Sequence, residues 1–208
     1  MMEKLPTKER LIQTANDLIG QANYSTVSVA EICQAAGVHK GSFYHHFPSK
    51  VDLAIAAIDA YFEENTNDWD SLFSPQVPPL MRMVKICDYA IEKMHEEVKE
   101  CGRVVGCPLM SLGSEMAGED GEGARLAKRC READNVFLKY WRSCVRDIAD
   151  EGHLKEGEDL DELARMIHTF VAGQMIIAKV HDSLDVLEKD LKKGIFRILG
   201  ISLDKVES

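Results

Sequence analysis

The sequence predicts an all-α protein of about nine helices, with an N-terminal three-helix helix-turn-helix domain ahead of a larger helical domain. Three observations carry this. Apolar residues recur at spacings of three and four through most of the chain, while alternation at spacing two is weak. Capping residues and helix breakers fall between those periodic stretches. Over about residues 28–47, two short helical patterns are joined by a tight turn containing glycine, the layout of a helix-turn-helix.

The elements follow in order. A first helix is expected over about Thr7 to Ile19, with Leu11, Ile12, Ala15 and Leu18 on one stripe and Gly20 closing it. The second begins after Ser28, because "SVAE" places Ser28 at the N-cap and Glu31 three residues on, a capping box. It ends at Gly37. A third short helix runs from about Lys40 to Phe47, and Pro48 stops it. Ser49 caps a fourth, with Asp52 in its first turn, through "VDLAIAAIDAYF". After a loop with Pro75, Pro78 and Pro79, a long amphipathic helix carries Leu80, Met83, Val84, Cys87, Ile91, Met94, Val98 and Cys101. "GRVVG" breaks it. Pro108 starts a helix through Met116, and a long one spans about Ala124 to Ala149. Two last helices, about Leu160 to Val180 and Leu184 to Leu199, are unusually apolar for a chain end. The pattern reads as three short helices and then six longer ones.

Charge is distributed unevenly. The 208 residues carry a net charge of −10. Residues 1–50 hold five Lys and Arg against four carboxylates, so the acidic excess lies wholly beyond them. A slightly basic head on an acidic body excludes a whole-chain affinity for nucleic acid or membrane, but not a local one. No window approaches the roughly 18 apolar residues of a membrane span, and "MMEKLPTKER" is too charged for a signal peptide. The cytoplasm is the expected location. The six cysteines form no C-x-x-C pair and read as thiols rather than a disulfide framework.

"HKGSFYHHFPSK", from His39 to Lys50, carries the densest chemistry. On a helical wheel Phe43 and Phe47 share a face, expected to pack on Leu11, Ile32 and Ala36. Lys40 and Tyr44 share the next face, with Gly41 and His45 beside them. That outer face offers a cation, a hydroxyl, an imidazole and a low point. A glycine costs so short a helix about 1 kcal/mol, which close approach of another surface would offset. Lys50 falls in the first turn of the fourth helix, where the helix dipole disfavours a cation and a bound phosphate would remove the penalty. His45 and His46 are adjacent, so their rings point about 100° apart and cannot share a metal. No other Cys/His set accompanies them, so no metal or cofactor is expected. His46 is expected to be a packed, hydrogen-bonded structural residue. No acid or nucleophile stands ready for catalysis. A surface for DNA accounts for the lysines, the glycine, the tyrosine and the flanking caps together.

"SVAEICQAAGVHKGSFYHHFPSKVDL" resembles the helix-turn-helix signature of the TetR family of bacterial repressors. The pattern is met at Ile32, Ala35, Ala36, Gly37, Val38, Lys40, Gly41, Ser42, Tyr44, His46, Phe47, Ser49, Lys50 and Leu53. Helix count and length fit the family over the whole chain. "VVGCPLMSLGSEM" (104–116) and "AGQMIIAKVHDS" (172–183) resemble the branch that includes the repressor of N-ethylmaleimide reductase.

The resemblance implies a homodimer on a palindromic, double-stranded operator, each subunit placing its third helix in one major groove. Lys40, Gly41, Tyr44 and His45 would face DNA, and Ser28 and Lys50 would hold phosphates. Residues 1–50 would form the DNA-binding domain and 51–208 a ligand-binding and dimerisation domain. The last two helices resemble the family's dimer-forming pair. "MIHTFVAGQMIIAKV" is apolar nearly all round, so burial on more than one side is expected. An unknown small-molecule inducer would sit between the fifth to eighth helices. Candidate lining residues are Met83, Cys87, Met94, Met110, Phe137, Tyr140, Trp141, Phe170 and Met175. The expected function is that of a repressor released from its operator by a ligand or electrophile, with no membrane partner. The alternatives are a constitutive DNA-binding module and a small all-α enzyme. The enzyme would need paired carboxylates or a nucleophile with its base, and no such spacing stands out.

One cysteine invites a specific role. In "GRVVGCPLM", Pro108 fits the first turn of a helix, which puts Cys107 at or beside the N-cap. A thiol there feels the positive end of the helix dipole. Lys179 matches the position of a lysine in the similar branch, where such a cysteine senses electrophiles and oxidants. The resemblance implies the same role for Cys107. The plain alternative is a small buried residue between helices.

Overall fold

A computed structural model describes residues 5–203 and residue 206. Among them the structure is all-α, with nine helices and no strand. They are α1 (Thr7–Gln21), α2 (Val29–Ala36), α3 (Lys40–His46), α4 (Lys50–Leu72), α5 (Pro79–Cys101), α6 (Pro108–Glu115), α7 (Glu122–Asp150), α8 (Leu160–His181) and α9 (Asp185–Leu199).

Three expectations about individual helices need correction. Gly20 does not close α1: it is buried inside a helix that continues to Gln21. α4 reaches Leu72 rather than stopping near Phe62, because the weakly periodic "ENTNDWDSL" still packs Trp69 and Leu72, half-buried, against the core that Phe73 joins just past the helix end. The sequence of three short helices and six longer ones fails at α6, which has 8 residues.

Two compact units emerge. One comprises the chain through Asn65 together with Pro108–Ala133, and the other Thr66–Cys107 with the chain from Asp134 onward. α4 and α7 contribute to both.

The first unit has a small core. α1 packs on α2 and α3, and Leu11, Ala15, Val27, Ile32, Ala36, Phe43, Phe47, Leu53 and Ala57 fill the space between them. Arg10 on α1 closes the far end of α2, its Nη1 donating to the Ala36 carbonyl at 3.1 Å. A cation there also meets the negative end of the α2 dipole.

The second unit has the larger core. α8 packs on α9, and α5 on α9. Met83, Cys87, Met94, Trp141, Cys144, Val145, Ile148, Ile167, Leu187, Leu191 and Phe196 are its centre. Arg82 is a buried cation in this unit. It pairs with Asp147, and its Nε donates to the Val77 carbonyl at 2.7 Å, which ties the loop before α5 to α7.

Candidate nucleic-acid interface

The recognition segment is assembled from local rules. Ser28 N donates to Glu31 Oε2 at 2.7 Å and Glu31 N donates to Ser28 Oγ at 3.2 Å, the reciprocal bonds of a capping box. These bonds hold the Glu31 carboxyl below its ordinary pKa. At the other end of α2, Gly37 takes the left-handed conformation, φ 62°, and its N–H closes the helix. A β-carbon is disfavoured there, so the turn to α3 depends on glycine.

α3 has 7 residues and no side-chain cap at its start. So short a helix is marginal alone; burial of Phe43 and Phe47 holds it. Their rings lie 6.1 Å apart, and the Phe43 ring also meets Tyr44 edge-on at 5.1 Å. The opposite face is open. Lys40, Gly41, Tyr44 and His45 are all exposed, Tyr44 at 55%. A β-carbon on Gly41 would meet nothing within 4 Å, so the chain's own packing does not demand this glycine. His46 departs from expectation. It is exposed rather than packed, its ring 5.2 Å from that of His45. Adjacent positions on one short helix leave both imidazoles outside the Phe43–Phe47 contact. Among the described residues no three or more His, Cys, Asp or Glu side chains come together as a metal site would require.

Ser28 is exposed at the start of α2. Lys50 is placed differently from a free phosphate ligand. Its Nζ donates to the Tyr24 carbonyl at 2.6 Å and the Val27 carbonyl at 2.7 Å, and lies 3.9 Å above the centre of the Tyr24 ring. Burial lowers its pKa, with Glu115 and Glu31 opposing. From the other side, Glu115 on α6 accepts from the N–H groups of Tyr24 and Ser25. Arg10 and Glu115 were invisible to sequence reasoning, since their partners lie 26 and about 90 residues away.

The candidate ligand-lining residues divide. Met83, Cys87, Met94 and Trp141 are buried in the second unit's core. Burial pushes the Cys87 and Cys144 thiols up to about 12, so neither is a ready nucleophile. Phe137, Tyr140, Phe170 and Met175 are half-buried in the same unit. Phe137 and Tyr140 meet partners absent from the sequence reading. The Trp69 ring lies 4.6 Å from Phe137, and the Phe73 ring 4.9 Å from Tyr140 and 5.4 Å from Trp141. Met110 belongs to the other unit. Also in the second unit, Glu97 Oε2 and Gln174 Oε1 are buried without a hydrogen-bond partner. Burial, then Glu100, raises the Glu97 carboxyl to about 7.

Cys107 is half-buried and directly precedes Pro108, the first residue of α6. The loop before it is stitched to the end of α8: Val104 N donates to Asp182 Oδ1 at 2.8 Å. At Gly106, φ is 72° and a β-carbon would stand 3.2 Å from both Lys179 Cβ and the Met175 carbonyl. Glycine thus lets the chain lie directly against Lys179, one residue from Cys107.

A capped helix, a left-handed glycine turn and a short exposed helix seated on two buried phenylalanines define a helix-turn-helix DNA-binding regulator. Comparison with known proteins narrows the class. The family model described as "Bacterial regulatory proteins, tetR family" matches residues 11–57, and the "Tetracyclin repressor-like, C-terminal domain" model matches residues 79–192. The chain belongs to the TetR family of transcriptional regulators. Among curated relatives, the transcriptional regulator AcuR of Cereibacter sphaeroides is 30% identical over 177 residues, covering 83% of this chain and 76% of the relative. The solved regulatory protein TetR from Rhodobacter sphaeroides is 27% identical, with a TM-score of 0.79 over 91% of this chain and 97% of that one. The reduced form of E. coli NemR aligns with a TM-score of 0.74 over 93% and 97% of the two chains, at 18% identity, and so shares the fold.

Proposed function

We propose that this regulator is a cytoplasmic, homodimeric repressor that releases its operator on meeting a ligand or an electrophile, and that it has no enzymatic activity. The observation that carries the DNA-facing part is the exposed α3 surface of Lys40, Gly41, Tyr44 and His45 over the buried Phe43 and Phe47. In this reading those four residues enter the major groove of each half of a palindromic site. Ser28 and the start of α2 meet a phosphate, since helix N-termini favour anions, and Lys50 holds the loop that leads to Ser28. Residues 1–50 serve DNA binding and 51–208 serve ligand binding and pairing.

The pairing surface is supported by exposed apolar side chains on α8 and α9. Met166, Ile176, Ile177, Val180 and Val186 are all exposed, Val180 at 72%. Such a patch marks an interaction surface, and a second copy of the chain is the partner that a two-fold operator requires.

Release is assigned to the second unit. The half-buried Phe137, Tyr140, Phe170 and Met175, with Met83, Cys87, Met94 and Trp141 behind them, are the proposed wall for a small ligand. For electrophiles the proposed switch is Cys107, at the start of α6 where the dipole favours a thiolate, with the Lys179 side chain against the adjoining Gly106. The closing test is operator binding by fluorescence anisotropy on the DNA flanking the gene, with and without N-ethylmaleimide or hypochlorite. Wild type should bind with a steep salt dependence and release on treatment, and Cys107→Ser should bind and not release. No binding would overturn the regulator reading. Equal release in both proteins would overturn Cys107 and leave the non-covalent pocket as the switch.

A further inference from the structure

We propose that Glu115, at the end of α6, is a positioning residue for operator binding, holding the loop that leads into α2 from the side opposite Lys50. The proposal rests on α2 and α3 being the operator-binding helices.

The geometry is specific. Glu115 Oε2 accepts from Tyr24 N at 2.9 Å and Oε1 accepts from Ser25 N at 2.7 Å, so one carboxylate spans two consecutive amides. Lys50 Nζ takes the carbonyls of Tyr24 and Val27. An anion therefore grips the N–H groups of residues 24 and 25, and a cation grips the carbonyls of residues 24 and 27. Hydrogen bonds with one ionised partner are about twice as strong as neutral ones. The Tyr24 side chain is buried under the Lys50 ammonium, which fixes the loop's inner edge. Val27 directly precedes Ser28, the N-cap of α2, so the clamp ends where α2 begins.

The far side of the clamp is anchored as well. After α6 the chain turns into α7, whose first turns are tied to α4 by Arg125–Asp52 at 2.8 Å and Arg129–Asp59 at 2.7 Å. The Asp52 carboxylate also accepts from the Ser49 hydroxyl at the start of α4. Glu115 thus reaches the loop from an element fixed to the same frame as Lys50.

A carboxylate offers no donor to a phosphate. Any favourable effect of Glu115 on operator affinity is therefore positional. This gives the experiment a sign. Removing a negative charge from a DNA-binding unit should by simple electrostatics tighten binding. Loss of the clamp should weaken it, because only the fraction of molecules with α2 in place is competent.

The test compares wild type, Glu115→Gln and Glu115→Asp at a temperature where circular dichroism shows all three folded. Operator affinity is measured across a salt series, and amide hydrogen exchange is followed at Tyr24 and Ser25. Glu115→Gln should bind the operator about tenfold more weakly, the worth of one charge-assisted hydrogen bond. Its salt slope should stay unchanged, its Tyr24 and Ser25 amides should exchange faster, and Glu115→Asp should fall between. Equal or tighter binding by Glu115→Gln, with those amides exposed, overturns the proposal, as does a changed salt slope. Wild type alone supplies a further check: its Tyr24 and Ser25 amides should be slow to exchange both free and on the operator, and fast exchange in the bound form also overturns it. Failure of wild type to bind any operator would instead remove the reading on which the proposal rests.

Discussion

α3 and α8 both leave side chains in water that their neighbours do not explain, and the difference between them is instructive. On α3 the exposed set is Lys40, Gly41, Tyr44 and His45, beside a core that is complete without them. On α8 it is Met166, Ile176, Ile177 and Val180, continuous in kind with the apolar core behind them. The first is a polar, cationic surface suited to an anionic partner held by directional contacts. The second is a surface whose exposure costs free energy until something apolar covers it. One helix is ready for a transient partner, and the other calls for a lasting one.

The largest effect should come from breaking the support of the first surface. Phe43 is fully buried under α3. Phe43→Ala should destabilise the recognition unit by about 3–5 kcal/mol and abolish operator binding, read by thermal melting and anisotropy together. Tyr44→Ala, one residue away on the open face, should leave the melting temperature nearly unchanged and lower affinity. If both variants melt alike, the division of α3 into a buried and a contacting face is wrong.

The second surface is tested by charge. Val180→Asp places a carboxylate at the most exposed apolar position of α8. In a lone chain an exposed change of this kind stays within about 0.5 kcal/mol. In a self-paired face it leaves an unpaired charge in a buried surface, at about 3 kcal/mol or more. Light scattering at micromolar concentration should report a dimer for wild type and a monomer for Val180→Asp. A monomeric wild type would end the pairing proposal.

The contrast also explains what the sequence disclosed. The caps, stops and inward faces of α2 and α3 follow from spacings of three and four, and the structure places Ser28, Glu31, Gly37, Phe43 and Phe47 where those spacings put them. The exposure of His46 has no such signal, because position on a wheel does not say how far a 7-residue helix extends beyond its core. α4 continues past Phe62 because Trp69 near its end, and Phe73 just beyond it, pack on the rings of Phe137 and Tyr140 in α7. That is a long-range fact with no local signal. The same holds for Arg10, for Glu115 and for the inward turn of Lys50, each defined by a partner at least 23 residues away.

A smaller effect should separate two carboxylates, Glu115 in the first unit and Glu97 in the second. In the first unit Lys50 and Glu115 each have both inner contacts met by backbone groups. The second holds Glu97 with a buried, unpartnered oxygen. Its carboxyl is raised from 4.5 to about 7, chiefly by burial. The folded form therefore binds this proton more tightly than the unfolded chain does. Folding gains stability as pH falls through 7, the gain is complete below 4.5, and above 7 it is absent. Between about pH 8 and about pH 5, the melting temperature of wild type should rise relative to that of Glu97→Gln. Parallel profiles would show that Glu97 is solvated in the folded protein.

The finest distinction lies between two lysines ten positions apart, Lys40 and Lys50. Both sit in a helical first turn, and sequence alone assigns both to DNA. The structure separates them. Lys40 is exposed on α3, whereas Lys50 commits two donors to the carbonyls of Tyr24 and Val27. A phosphate contact contributes about 0.9 to the slope of log affinity against log salt, so its loss reduces that slope by about one unit per contact. Lys40→Ala should therefore weaken binding and flatten the salt dependence. Lys50→Met removes a clamp without removing a counterion release. It should weaken binding at every salt concentration while the slope holds, and it should lower the melting temperature by leaving two carbonyls without their donor. An equal loss of slope in both variants would return Lys50 to the phosphate backbone, its remaining N–H reaching DNA while the other two hold the loop.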